Sequence, residues 1–327
     1  MFLARSLKLA NMYVIAIVSE SSFGALINIL LDASLTIAMT SISYSPLGTL
    51  MLQLNFLVIL YVVITSLIMV VSQVPHPRKK LCYFLNSFIL VWEFIPWVIS
   101  VNNPILQILF DWSPLIFLPL LHQQTGILTQ IFQAGRLDEK FIAFDQKYFP
   151  YVMNFHTQNR GNSVLLSEIL HLCYFSFYAL IYGVPLYFYL NHEYLQFYQT
   201  TFIILALLFS CYLTHWLIPI YGPRTIFAKI NDARSRGVFF RIVHKVLEDG
   251  STAGTAFPSG HTGTAAVVIL ITWYLSSPVF YLVLPVGLGL IISTLYGRFH
   301  YVTDVLVGLA YAFIVFGLTL WVYYPMY

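Results

Sequence analysis

Long apolar runs constrain this chain more than anything else in it. Residues 49–72 and 197–219 contain no Asp, Glu, Lys or Arg. A run of 18 or more apolar residues is long enough to cross the hydrocarbon layer as a helix. Lipid offers backbone N–H and C=O groups no partner, so a crossing segment must bond internally. Further candidate crossings are 84–101, 104–121, 164–190, 262–275, 278–296 and about 301–324. Glu93, Pro96, Asp111 and Pro114 interrupt 84–101 and 104–121, where kinks or partial crossings are expected. Residues 11–42 read as one poor crossing or an interfacial pair, and Glu20 and Asp32 argue against a cleavable leader. The predicted fold class is all-α, a polytopic membrane helix bundle.

Only 9% of the residues are charged, against about 25% in a soluble domain, so no second soluble domain is expected. The net charge of +3 does not point to nucleic acid. Cys82, Cys173 and Cys211 lie in or beside apolar segments and read as small core residues. Two polar loops stand out. Residues 122–163 carry Arg136, Asp138, Glu139, Lys140, Asp145, Lys147 and Arg160; residues 225–257 carry Lys229, Arg234, Arg236, Arg241 and Lys245. The remaining ionisable groups within apolar segments, Glu93, Asp111, Glu168, His171 and His215, are functional suspects by default. Glu168 and His171 share a helix face and read as a satisfied interior polar pair.

The alternation of crossings brings three polar clusters to one face: Tyr221-Gly222-Pro223-Arg224, Pro258-Ser259-Gly260-His261, and His300 with Asp304. Each suits an oxyanion. Pro258 and Ser259 open a helix, whose free N–H groups and positive dipole end favour an anion. Gly260 permits close backbone approach, and Arg224 can grip a phosphate with two parallel hydrogen bonds. His300 and Asp304, at i and i+4, share a helix face. The carboxylate there can hold the Nδ1 proton and leave Nε2 as a nucleophile, with His261 placed to protonate a leaving alkoxide. Taken singly, Pro-Ser-Gly is a common helix opening, His-x3-Asp is equally cheap, and Arg224 can merely anchor a helix end at the headgroups. Their occurrence together, in order and on one face, favours a phosphate-handling site.

These residues resemble the type-2 phosphatidic acid phosphatase superfamily of membrane enzymes. Its second motif, Pro-Ser-Gly-His, stands intact at 258–261, and its third ends in a His with Asp four residues on, as at His300 and Asp304. The run from Ser293 to Val305, with the stretches Asp138–Pro150 and Ser167–Tyr178, is most similar to the branch containing the fungal inositol phosphorylceramide synthases. The resemblance covers about 104–324. It implies a six-helix phosphatase-like core over residues 101–327, with 1–100 as extra N-terminal membrane segments. It also implies catalysis through a phosphohistidine with no metal or other cofactor, acting on a phospholipid or lipid phosphate. Two departures stand out. The first-motif Lys before Arg224 is missing, and the Ser-Arg pair of the third motif is Ser293-Thr294. Arg298 is the candidate to replace the lost phosphate arginine, although i and i+2 point different ways on a helix. Both losses fit the transferase branch, whereas Gly260 matches the phosphatase form of the second motif.

The expected activity is lipid phosphate phosphatase, with lipid headgroup phosphotransferase as the alternative. A metal-dependent hydrolase with His261, His300 and Asp304 as ligands is a weaker rival, because the surrounding residues suit an anion. A transporter would place paired broken helices at the midplane of two repeated halves, and no repeat is visible. Sidedness is open. Thirteen of the sixteen Lys and Arg lie in the loops 73–83, 122–163 and 220–257, all on the active-site face, which the positive-inside rule assigns to the cytoplasm. The resemblance implies the periplasmic, lumenal or exterior side.

Overall fold

The computed structural model describes residues 46–71, 76–98, 103–129, 137–158, 161 and 163–323. The expected segment 11–42 and the loop residues Arg136 and Arg160 lie outside them. Among the described residues the chain is all-α, with a lone bridge between Ile220 and Thr255. The helices are α1 (Pro46–Val71), α2 (His76–Val98), α3 (Pro104–Leu128), α4 (Asp138–Tyr148), α5 (Pro150–Thr157), α6 (Val164–Phe175) and α7 (Val184–Leu190). They continue as α8 (Tyr194–Leu217), α9 (Pro223–Ile226), α10 (Val238–Gly250), α11 (Gly260–Tyr274), α12 (Phe280–Tyr296) and α13 (Val302–Tyr323).

Among the described residues α1, α3, α8 and α13 are long and apolar enough to cross a membrane; α6 with Ala179–Leu190, bent by 45°, adds a fifth if the pair is one span. The protein is therefore integral to the membrane and multi-pass. The run 164–190 is not the straight helix its composition suggests: the axis bends at the break after Phe175, and a π-helical turn at Ala179–Gly183 begins the second half. Conversely, α2 runs through Pro96, and α3 through Pro114 and Pro119. The basic residues Arg78, Lys79 and Lys80, expected in a turn, occupy the start of α2. Helices α11 and α12 have 15 and 17 residues. That is about 22 and 26 Å, short of the roughly 30 Å hydrocarbon thickness.

Helix α8 is the hub, packing on α1, α3, α7, α11 and α13. Ile203, Ile204, Leu205, Leu207 and Cys211 are wholly buried along it. Tyr61 of α1 stacks on Phe209 with ring centroids 4.1 Å apart and donates or accepts a hydrogen bond at Thr125 of α3. Without a hydrophobic drive between helices in lipid, such packing and polar contacts hold the bundle together. The crossing of α11 and α13 positions the site. A Cβ on Gly308 would stand 2.5 Å from the Ser259 carbonyl oxygen, and one on Gly263 3.1 Å from the Gly308 carbonyl oxygen. Only glycines allow these backbones so close, and the approach sets Ser259 beside Asp304.

Candidate active site

The three clusters meet beyond the end of α8, where α11 and α13 begin. The Ile220 carbonyl accepts from the Ala256 N–H at 2.9 Å, and the Ser259 N–H donates to the Asp304 carbonyl at 3.1 Å. His300 Nδ1 lies 2.9 Å from the Ala256 carbonyl oxygen and 3.4 Å from Asp304 Oδ2. Both neighbours are acceptors, so Nδ1 carries the proton and Nε2 keeps its lone pair. Nε2 has no hydrogen bond among the described residues. Asp304 Oδ2 also accepts from the Tyr301 N–H at 2.9 Å, the return bond of a capped helix start. Its carboxylate is buried, and Oδ1 has no hydrogen-bond partner among the described residues.

The His261 ring packs against Tyr174 at 4.6 Å and Phe177 at 4.1 Å, and its centroid is 5.9 Å from that of His300. Ser259 is committed to the helix: its hydroxyl accepts from the Thr262 N–H and donates to Thr262 Oγ1. The N–H groups of Gly260 and His261, by contrast, have no acceptor among the described residues. They are the free donors of the α11 N-terminus. A Cβ on Gly260 would meet only Leu208, at an ordinary 3.4 Å, so the surrounding protein does not require glycine there. Arg224 is partly exposed; one Nη donates to Ser251 Oγ at 2.7 Å, and Tyr174 and His244 lie within its electrostatic reach.

Arg298 is not brought to this cluster. It is buried, with φ +58°, and donates to the carbonyls of Ala228 and Gln158. A left-handed turn after α12 aims it at the loops. Burial, then the neighbouring Arg234, holds its pKa down at about 10. Glu168 makes no hydrogen bond to His171, although the two are within electrostatic reach. It accepts from the N–H groups of Val238, Phe239 and Phe240 and so caps α10, while His171 Nδ1 bonds to Ser167. Asp111 accepts from Tyr189, Tyr198 and Gln107, and Glu93 from Ser113, remote from the cluster.

The residues missed in the sequence are the carboxylates of α4. Asp138 accepts from the N–H groups of Tyr221 and Gly222 and from the Tyr301 hydroxyl. Asp145 accepts from the N–H groups of Val302 and Thr303 and from the Thr303 hydroxyl. Both are buried. Seven residues apart, they share one face of α4 and tie the 221–224 segment to the start of α13; that spacing was the available signal. His215 adds a third brace, with Nε2 3.2 Å from the Pro258 carbonyl oxygen. Two histidines of the polar loops are kept neutral at pH 7: burial pushes His156 down to about 4 and His244 to about 3, the latter helped by His171 and Arg224.

A family model described as PAP2 superfamily matches residues 140–318, more than half of the chain. No curated protein and no solved structure matches it.

Proposed function

The chain belongs to the PAP2 superfamily, and from that premise we propose that it is a lipid phosphate phosphatase acting through a phosphohistidine on His300. Membership makes it a phosphoryl-transfer enzyme of the lipid phosphatase and phosphotransferase kind. One observation carries the finer reading: His300 Nδ1 sits between two acceptors, which leaves Nε2 available to attack.

In the proposed reaction Nε2 forms a bond to phosphorus while the ester oxygen departs with a proton from His261. Positive charge grows on the His300 ring, and the Asp304 carboxylate offsets it. Arg224 and the free N–H groups at Gly260 and His261 take the non-bridging oxygens. Water then attacks the phosphohistidine as His261 recovers a proton, and phosphate leaves with His300 restored.

The transferase reading keeps the same first half and replaces water by a lipid or polyol hydroxyl. The aromatic walls of Tyr174 and Phe177 around His261 favour it, because a held acceptor must outcompete water. The test is purified protein against a panel of phospholipids, with and without inositol, ceramide or diacylglycerol, in the presence of a chelator. We expect free phosphate that depends on His300 and persists without the alcohol. Turnover only with alcohol present, with all phosphorus in a new lipid, would establish the transferase instead, and loss of both products on chelation would support the metal-dependent rival.

A further inference from the structure

Helix α4 has two faces, and only the inner one is used by the site. Asp138 and Asp145 point inward. At 100° per residue, Lys140 and Lys147 fall on the opposite side, and Phe144 and Tyr148 lie along one exposed flank beside them. Phe144 and Tyr148 are 48% and 55% exposed, and Tyr151, at the start of α5, is 90% exposed. The Phe144 and Tyr148 rings are 4.6 Å apart, and the Lys147 ammonium lies 5.0 Å over the Tyr148 ring. Phe144, Tyr148 and Tyr151 thus leave three large aromatic side chains exposed along α4 and the start of α5, more apolar surface than water alone accounts for.

The position of α4 relative to the bilayer is set by its inner face. Asp145 bonds the N–H of Val302, which is the first residue of the spanning segment Val302–Trp321. Asp138 bonds the N–H of Tyr221, four residues beyond Leu217, where the α8 span ends. The two ends of α4 are thus pinned to the ends of two crossing helices, and its 11 residues, about 16 Å, lie along the membrane boundary. Tyrosine and lysine suit that depth, each with an apolar body and a polar tip. Of the two acidic residues in the first turn, Asp138 is turned inward, and Glu139 sits at the flank.

We propose that the outer face of α4, continued by Tyr151, is a docking surface for the anionic lipid headgroups of the surrounding leaflet. The helix that braces both catalytic segments would then also grip the membrane surface. Lipid recognition here needs no turnover, so it stands or falls independently of the reaction assigned above.

The experiment uses the full chain in liposomes. Cys82, Cys173 and Cys211 are replaced by alanine, Tyr151→Cys is labelled with an environment-sensitive fluorophore, and Lys229→Cys serves as the solvent-exposed reference. Vesicles are phosphatidylcholine alone or mixed with phosphatidylserine, and quenchers are aqueous iodide and lipids brominated near the glycerol. We expect iodide to quench position 151 several-fold less than position 229, brominated lipids to quench it, and phosphatidylserine to strengthen both effects. Lys140→Gln with Lys147→Gln should abolish the phosphatidylserine dependence. Equal iodide quenching at the two positions, with no effect of brominated lipid, would overturn the proposal. Protection that is identical with and without phosphatidylserine would overturn the choice of anionic headgroups.

Discussion

Replacing Asp304 by Asn separates two jobs that a carboxylate beside a histidine usually performs together. One is to hold the proton on Nδ1. Here the Ala256 carbonyl, 2.9 Å from Nδ1, is closer than Asp304 Oδ2 at 3.4 Å, so it keeps that tautomer alone. An Asn oxygen in the Oδ2 position still accepts from Tyr301, and its amide takes the place of Oδ1, which has no partner to lose. The other job is to offset the charge on His300 in the transition state. Two unit charges 3.4 Å apart interact by about 5 kcal/mol at an effective dielectric near 20. Part of that is retained by the amide dipole, so we expect a loss of about 2–4 kcal/mol in barrier, roughly 30- to 1000-fold in kcat. A wrong tautomer costs about 10⁴-fold in the serine protease triad. The assay is steady-state phosphate release from a defined lipid phosphate, with thermal unfolding as a check on folding. A folded Asp304→Asn protein as inactive as His300→Ala would refute the claim that Ala256 holds the tautomer, and unchanged kcat would refute charge stabilisation.

Three further outcomes follow from the bracing. Asp145→Ala strips the N–H groups of Val302 and Thr303 of their acceptor; it should cost about 2–4 kcal/mol in denaturation experiments and about 10²-fold in kcat, since His300 is two residues away. Gly308→Ala places a Cβ 2.5 Å from the Ser259 oxygen, which is backbone and cannot swing aside, so it should destabilise by about 1–3 kcal/mol and depress activity. His156 is buried and held near 4 against an ordinary 6.5, so an unfolded chain takes up its proton first as pH falls. Its contribution is intact above 6.5 and is lost as pH drops toward 4, about 2 kcal/mol by pH 5. The thermal midpoint of His156→Phe should fall less steeply with acid than that of the parent.

That the three polar clusters lie at one end of the bundle was legible from the alternating direction of the apolar segments. That topology alone puts residues 221–224, 258–261 and 300–304 near one another; in the structure Ser259 bonds to Asp304, and Ala256 bonds to both Ile220 and His300. What composition hid is of two kinds. The break after Phe175 and the π-helical turn that follows it at Ala179–Gly183 lie inside a continuous apolar run, and neither leaves a mark in hydropathy. Helix α4 lies in a charge-rich stretch that reads as a solvated loop, because charge count does not tell an exposed Asp from one that caps another segment. Arg298 shows the reverse limit. Its spacing near His300 suggested phosphate, but its φ of +58° turns it to the Ala228 and Gln158 carbonyls.

The central claim is that phosphorus passes through His300. It is tested most directly by quenching the enzyme with alkali during turnover of a ³²P-labelled lipid phosphate and mapping the label by mass spectrometry. The account predicts an acid-labile, alkali-stable phosphoramidate on the peptide containing His300, absent from His300→Ala. A phosphoenzyme on His261 or on an oxygen nucleophile, or label persisting in His300→Ala, would contradict it.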